Sequence, residues 1–262
     1  HQCLLFNDLP NNRTLRWSER HGVSVFRESS DYGNGQTRDH QGRLITCHHR
    51  SRCLNRGEHD GTTTTLVGQA DGKALNAPND VVVKSDDSIW FSDPLYGLIS
   101  DYEGGRQLSE QPAALYRLDP ATGELNRMAS DFDGPNGLAF SPDERKLYVA
   151  ESGAPGALEP RQYIRMFDVS EDGRSLSGGE IFHKITPGWA DGFRVDEHGN
   201  LWCGAGDGVH CIAPDGTLLG KVLVPKRVSN LCFGDRFHSR LFICASTTLY
   251  ALFTNTRGVQ RP

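Results

Sequence analysis

The sequence shows no strong excess of either charge and no long apolar run, and each absence excludes a class of protein. Its 262 residues include 28 Lys and Arg against 33 Asp and Glu, for a formal net charge of −5. A mildly acidic chain lacks the basic surface expected of a nucleic-acid-binding protein. No apolar stretch approaches the roughly 18 residues needed to span a membrane. We therefore expect neither a nucleic-acid partner nor a membrane partner.

Several catalytic and cofactor signatures are missing as well. The Gly-x-Ser-x-Gly turn is absent, which disfavours a Ser-His-Asp hydrolase, and no glycine-rich phosphate loop precedes a helical pattern. The 7 cysteines follow no zinc-binding spacing. Small buried thiols in a reduced protein are the favoured interpretation, with cross-strand disulfides as the alternative. A cytoplasmic location is the matching expectation, although the start at His1 leaves a removed signal peptide open.

What the sequence does contain is a repeated strand pattern. A short segment rich in β-branched and aromatic residues recurs at spacings of 40 to 58 residues, and a second apolar strand follows each copy. The copies begin at Leu4, Leu44, Ile89, Leu147, Leu201 and Leu241.

Six such units, each with about four short strands, predict an all-β fold, namely a six-bladed β-propeller of four-stranded blades around a central channel. A closed ring protects strand edges that a lone blade would expose. A pair of β-sandwiches is the alternative, but it does not account for six copies of one pattern. We expect residues 1–262 to form a single propeller domain whose first blade is truncated at the N-terminus.

One polar position recurs with the strands. Asn or Asp stands ten or eleven residues before five of the repeated segments, at Asn34, Asn79, Asn136, Asp191 and Asn230. Equivalent positions in a ring converge on its axis, and amide and carboxylate oxygens suit Ca²⁺ or a similar hard cation. Each residue could instead only make a turn before its strand. A register shared by five repeats favours a common channel over five separate turns.

Around these positions the chain resembles a known family. The segments 75–83 (LNAPNDVVV), 88–94 (SIWFSDP), 134–143 (GPNGLAFSPD) and 190–196 (ADGFRVD) are similar to the gluconolactonase branch of the regucalcin-like lactonases. The resemblance covers essentially the whole chain. It implies a six-bladed propeller enzyme of carbohydrate metabolism with one divalent cation, usually Ca²⁺.

The resemblance also implies roles for individual residues. Asn136 and Asp191 match two protein ligands of the metal, and Asn79 matches an asparagine that lies beside both the metal and the substrate. Asp191 further matches the residue proposed as general base or nucleophile. The family has another ligand, a first-blade glutamate in a Glu-Gly-Pro motif, which we expect to fall ahead of His1.

Other candidates depend on position alone. Asn34 shares the register, and Arg38 is a candidate to line the substrate channel or to form an ion pair on its strand. Trp189 could stack on a sugar or belong to the core. The adjacent His48 and His49 point to opposite faces of a strand, so we expect a surface or rim role rather than joint chelation. Insertions at 94–112 and 152–161 are predicted rim loops.

The sequence therefore predicts a metal-dependent hydrolase that opens a sugar lactone such as gluconolactone, acting on a small molecule as a monomer or weak dimer. The cation would polarise the lactone carbonyl, and Asp191 would act as base or nucleophile. Two alternatives stay open. One is a non-catalytic propeller module with a structural metal, and the other is a phosphotriester or ester hydrolase that uses the same site.

Overall fold

The repeated β-branched and aromatic segments form strands in the computed structural model, which describes residues 3–154, 156–158 and 161–259. Within these ranges the one helical segment is a short 3-10 turn at Tyr96–Leu98. No helix among the described residues is long and apolar enough to cross a membrane. The chain divides into two compact units between Gly134 and Pro135.

The first unit contains three antiparallel meanders in which each strand pairs with the next along the chain. The first meander is β1 (Leu4–Asp8), β2 (Arg13–Ser18) and β3 (Gly22–Arg27). The second is β4 (Gly33–Arg38), β5 (Leu44–His48), β6 (Cys53–Gly57) and β7 (Thr63–Val67). A small hairpin, β8 (Gln69–Ala70) and β9 (Lys73–Ala74), leads to the third, β10 (Val81–Val83), β11 (Ile89–Asp93), β12 (Ala114–Leu118) and β13 (Leu125–Ala129).

The second unit contains three further meanders of the same kind. They are β14 (Pro135–Phe140), β15 (Lys146–Glu151), β16 (Tyr163–Val169) and β17 (Leu176–Lys184); β18 (Phe193–Val195), β19 (Leu201–Ala205), β20 (Gly208–Ile212) and β21 (Leu218–Leu223); and β22 (Val228–Gly234), β23 (Arg240–Ala245) and β24 (Thr248–Phe253). The six repeated segments of the sequence are β1, β5, β11, β15, β19 and β23.

Turn chemistry sets the strand boundaries. Between β10 and β11, Asp87 adopts a positive φ of 67°, and the carboxylate of Asp86 accepts a hydrogen bond from the backbone N–H of Ser88 at 3.0 Å. Asp tolerates the left-handed region and bonds its own backbone two residues on, so it reverses the chain between adjacent strands. The polar turns that precede the repeated segments are therefore hairpin turns.

Each unit has its own apolar core between its sheets. In the first unit, Leu75, Val81 and Phe91 are buried, and Phe91 stacks on Tyr116 with ring centroids 5.4 Å apart. In the second unit, a cluster that includes Phe193, Cys203 and Ile212 is fully buried. Fully burying one such large apolar side chain stabilises the fold by roughly 1.5–3 kcal/mol.

The fold class is all-β, and the six antiparallel meanders are the blades of a six-bladed β-propeller. This confirms the fold predicted from the repeat. In the described residues four blades have four strands, and the blades that begin with β1 and β22 have three. The expectation of a single domain over residues 1–262 stays a prediction.

Candidate active site and metal-binding residues

The five register residues occupy one position in their blades. Each lies at the start of the first strand of its blade or just before it: Asn34 in β4, Asn79 before β10, Asn136 in β14, Asp191 before β18 and Asn230 in β22. The polar position recognised in the sequence is thus a structural position at one end of a blade.

Within the first unit, the register residues of neighbouring blades are in contact through their backbones. The N–H of Gly35 donates to the carbonyl oxygen of Asn79 at 2.8 Å. A Cβ atom at Gly35 would lie 2.4 Å from that oxygen, which no side chain permits. Asn34 and Asn79 are therefore brought together because a glycine follows Asn34.

Within the second unit, glycines likewise allow close contact between three successive blades. A Cβ atom at Gly137 would lie 2.3 Å from the carbonyl oxygen of Asp191, and one at Gly192 would lie 2.1 Å from the side-chain carbon Cγ of Asn230. The glycines that follow Asn136 and Asp191 thus let each register residue approach the next. Asn-Gly and Asp-Gly pairs are also common in turns, so the pairs by themselves do not predict this contact.

The donor atoms at these positions fit a hard cation. Asn79 and Asn136 are buried, whereas Asn34, Asp191 and Asn230 are half-buried. Burying an amide is costly unless its oxygen and nitrogen find polar partners. Amide oxygens with one carboxylate are the ligand type that divalent hard cations prefer. Asn136 and Asp191 lie in adjacent blades of the second unit that approach each other at Gly137, and they combine an amide oxygen with a carboxylate.

This donor set differs from a cluster of charged ligands. Across the described ranges, no three His, Cys, Asp or Glu side chains come together in a way that could hold a metal. Asp191 is the one carboxylate among the five register residues.

Two other predicted site residues differ in their distance from the nearest register residue along the chain. Arg38 is exposed at the far end of β4, four residues from Asn34 and therefore about 13 Å along the strand. Trp189 is half-buried and its Cα lies at most about 7 Å from that of Asp191, because only one residue intervenes. Trp189 is thus beside Asp191, whereas Arg38 is not brought together with Asn34.

Trp189 has a partner that the sequence did not reveal. The guanidinium of Arg227 lies over its ring, 4.8 Å from the ring centroid. A cation placed over indole is attracted by the ring's negative face. One face of the predicted sugar-stacking platform is therefore covered by Arg227.

The predicted surface position of His48 and His49 is wrong. Their side chains are buried, with 3% and 0% exposed. His48 is the last residue of β5, and His49 is the first residue of the turn that follows it. His48 Nδ1 lies 2.9 Å from the carbonyl oxygen of Ser30. His49 Nε2 lies 3.1 Å from Asn34 Nδ2, so His49 adjoins a register residue. Burial lowers the pKa of His49 to about 4.

The insertion at 94–112, predicted as a rim loop, is hydrogen-bonded to His49 and Arg50. His49 Nδ1 lies 2.9 Å from the carbonyl oxygen of Glu103, and Arg50 Nε donates to the carbonyl of Gly104 at 3.0 Å. A Cβ atom at Gly97 would lie 2.6 Å from the His49 ring. The second predicted loop, 152–161, lies partly outside the described residues, at positions 155, 159 and 160.

A buried carboxylate supports the segment that carries Asn79. Asp93, at the end of β11, is fully buried and accepts a hydrogen bond from the backbone N–H of Asn76 at 2.8 Å. The backbone N–H of Asn79 donates to Ser92 O at 2.9 Å. Burial raises the pKa of Asp93 to about 7. Sequence reasoning missed this residue because an Asp at a strand end resembles a turn residue.

The chain belongs to the family described as the SMP-30/gluconolactonase/LRE-like region, whose model matches residues 1–247. A gluconolactonase of Zymomonas mobilis is 30% identical over 97% of this chain and 76% of its own length. This confirms the family that the sequence motifs predicted.

Solved structures agree with this membership. A gluconolactonase from Xanthomonas campestris, described as important in glucose secondary metabolic pathways, is 38% identical with a TM-score of 0.88, covering 96% of this chain and 81% of that one. Regucalcin from Agrobacterium tumefaciens, described as a calcium-binding protein, is 16% identical with a TM-score of 0.70, covering 90% and 75%. The regucalcin likeness concerns the fold alone.

Proposed function

We propose that this protein is a divalent-cation-dependent lactonase that opens a sugar lactone such as gluconolactone. The named gluconolactonase homologues support the broader assignment, a lactonase of the carboxylic ester hydrolase class with a small-molecule lactone as substrate. Family membership favours a divalent cation, and Ca²⁺ is our first candidate because the donors are hard oxygen atoms.

Asn136 and Asp191 are the residues proposed to hold the cation. The single observation that carries this proposal is the contact between their blades, where Gly137 leaves no space for a side chain beside Asp191 O. A cation bound there would act as a Lewis acid toward the lactone carbonyl. Asn79 is proposed to serve both the metal and the substrate.

Asp191 is proposed to supply the reacting group. Its carboxylate would either take the proton from the attacking water or attack the carbonyl carbon directly. As the one carboxylate of the register set, it is the strongest base among these residues. Its backbone N–H donates to Gly204 O at 3.1 Å, which fixes the start of its strand. Asn34, Arg38 and Trp189 stay proposed substrate-binding residues.

A pH-stat assay on gluconolactone, with and without a chelator, tests the proposal. We expect chelation to abolish the enzymatic acid release and added Ca²⁺ to restore it. Hydrolysis that continues unchanged in chelator would contradict the metal-dependent mechanism. Thermal melting with Ca²⁺ adds a second measurement, because a bound ligand raises the melting temperature.

The two alternative functions are outcomes of the same experiments. A rise in melting temperature with Ca²⁺, without turnover of any lactone or ester, would indicate a non-catalytic propeller module. Turnover of a phosphotriester or simple ester in preference to gluconolactone would move the substrate class but keep the site.

A further inference from the structure

We propose that His49 is a positioning residue that turns the Asn34 side chain so that its oxygen, Oδ1, is the atom offered to a hydroxyl group of the substrate. The proposal rests on the proposed function in so far as Asn34 is taken to bind substrate. It assigns Asn34 the role of hydrogen-bond acceptor, which the amino-acid type alone leaves undecided because an amide both donates and accepts.

The His49 ring carries a proton on Nδ1. Its Nδ1 lies 2.9 Å from the backbone carbonyl oxygen of Glu103, and a carbonyl oxygen can only accept a hydrogen bond. Nδ1 must therefore carry a proton. The ring is fully buried, and burial disfavours a second proton because it would create a charge.

In the neutral ring, Nε2 of His49 is an acceptor. If the proton is on Nδ1, the other nitrogen, Nε2, has only a lone pair and needs a donor. The group 3.1 Å from Nε2 is the Asn34 amide, so its NH₂ group must face the histidine. The Asn34 oxygen is then directed away from His49.

The backbone of Asn34 is held in place by hydrogen bonds. Its carbonyl oxygen accepts a hydrogen bond from Asn7 Nδ2 at 2.5 Å, and the next residue, Gly35, donates to Asn79 O at 2.8 Å. With the backbone held on both sides, the two side-chain torsions of Asn34 are the remaining freedom. The His49 contact removes that freedom, since a flipped amide would place its oxygen against the Nε2 lone pair.

The tautomer can be measured directly on the full chain. Long-range ¹⁵N–¹H correlation spectra of His49 should show a neutral ring protonated on Nδ1 at pH 7. A ring protonated on Nε2, or on both nitrogens, would overturn the proposal. This measurement does not depend on lactonase activity, so it still decides the role of His49 if no lactone is turned over.

Two substitutions separate the two hydrogen bonds of His49. His49→Asn keeps an amide donor near Glu103 O but has no acceptor that reaches Asn34. His49→Gln places an amide oxygen near the former Nε2 position, so it retains the acceptor. We expect His49→Asn to raise KM for gluconolactone about 3- to 10-fold with a smaller change in kcat, and His49→Gln to restore KM to within about 2-fold.

The opposite order of the two variants would overturn the proposal, because it would mean that anchoring the segment that carries Glu103 is what matters. A lactone without hydroxyl groups, δ-valerolactone, is the matched substrate, and its KM should not respond to His49→Asn. Should His49→Asn fail to fold, Asn34→Asp is the second variant. Its carboxylate would draw a proton onto the imidazole, so the His49 pKa should rise in an NMR titration, and an unchanged pKa would contradict the contact.

Discussion

The two compact units present the same register position in different surroundings. In the first unit, Asn34 and Asn79 are neutral. The Asn34 amide contacts the ring of His49, and the backbone N–H of Asn79 donates to Ser92 O, next to Asp93 at the end of β11. In the second unit, Asp191 brings a carboxylate, and its blade contacts its neighbours through Gly137 and Gly192. The repeat thus sets the backbone position of each register residue, whereas the type of that residue and its neighbours decide its chemistry.

The second unit has the one charged register side chain, whereas the first unit has amides whose orientation is fixed by neighbouring groups. A carboxylate can hold a cation and accept a proton, so the second unit is proposed to carry the reaction. Buried amides that are fixed by neighbours can recognise hydroxyl and carbonyl groups without changing charge. Substitutions in each unit test this division.

The largest effect is expected for Asp191→Asn. The amide keeps the shape and one oxygen ligand but removes the charge and the basicity. We expect kcat at saturating metal to fall by roughly 100-fold or more, the range typical of a lost general base, with weaker but measurable metal binding. Asp215→Asn, in an exposed turn, is the control. Near-normal turnover in Asp191→Asn would leave this residue as a ligand only.

Gly137→Ala tests the contact between blades in the second unit. Its Cβ would lie 2.3 Å from Asp191 O, so the backbone of Asp191 must move. Overpacking of this kind typically costs about 1–3 kcal/mol, and we expect a lower melting temperature together with weaker metal binding. Gly220→Ala is the matched control, because a Cβ there has no heavy atom within 4 Å. Equal melting temperatures and metal affinities for the two variants would refute the contact.

Asn136→Ala and Asn79→Ala compare the two units directly. Removing the Asn136 oxygen should weaken metal affinity and activity together, each by about 10-fold. Asn79→Ala should lower turnover with a smaller loss of metal affinity. Calorimetric titration of Ca²⁺ and initial rates measure the two quantities. The same small loss in both variants would mean that neither amide is a ligand.

Asp93→Asn is expected to change stability rather than chemistry. Burial raises the pKa of Asp93 to about 7, above the value of about 4 of a solvated Asp carboxyl. The folded protein therefore keeps this proton longer than the unfolded chain, and the free energy of unfolding falls as pH rises from about 4 to about 7.

The measurement is denaturant unfolding of wild type and Asp93→Asn at pH 5 and pH 8. The variant has no proton to lose, so its stability relative to wild type should be higher at pH 8 than at pH 5. A stability difference that does not depend on pH would show that Asp93 does not change its protonation between pH 5 and pH 8.

Much of the fold could be predicted because blades repeat. The six segments that begin at Leu4, Leu44, Ile89, Leu147, Leu201 and Leu241 are strands as expected. The register of Asn34, Asn79, Asn136, Asp191 and Asn230 also corresponds to one structural position. Both predictions depend on spacing along the chain, which a repeated supersecondary unit preserves.

Relations that depend on what surrounds a residue in the fold could not be predicted. His48 and His49 were expected at the surface or rim because adjacent strand residues point to opposite faces, yet both are buried, and His49 lies in the turn after β5. Arg38 shares a strand with Asn34, but strand length places it at the opposite end. The cover that Arg227 provides for Trp189 joins residues 38 positions apart. None of these relations leaves a local pattern in the sequence.

Residue types at fixed spacings were enough to establish the β-strand repeat, the family and the polar register. Tertiary structure alone decided which register residues touch, which histidine is buried against Asn34 and which carboxylate has a raised pKa. These properties depend on what surrounds a group in space, and desolvation acts through distance in the fold rather than distance along the chain.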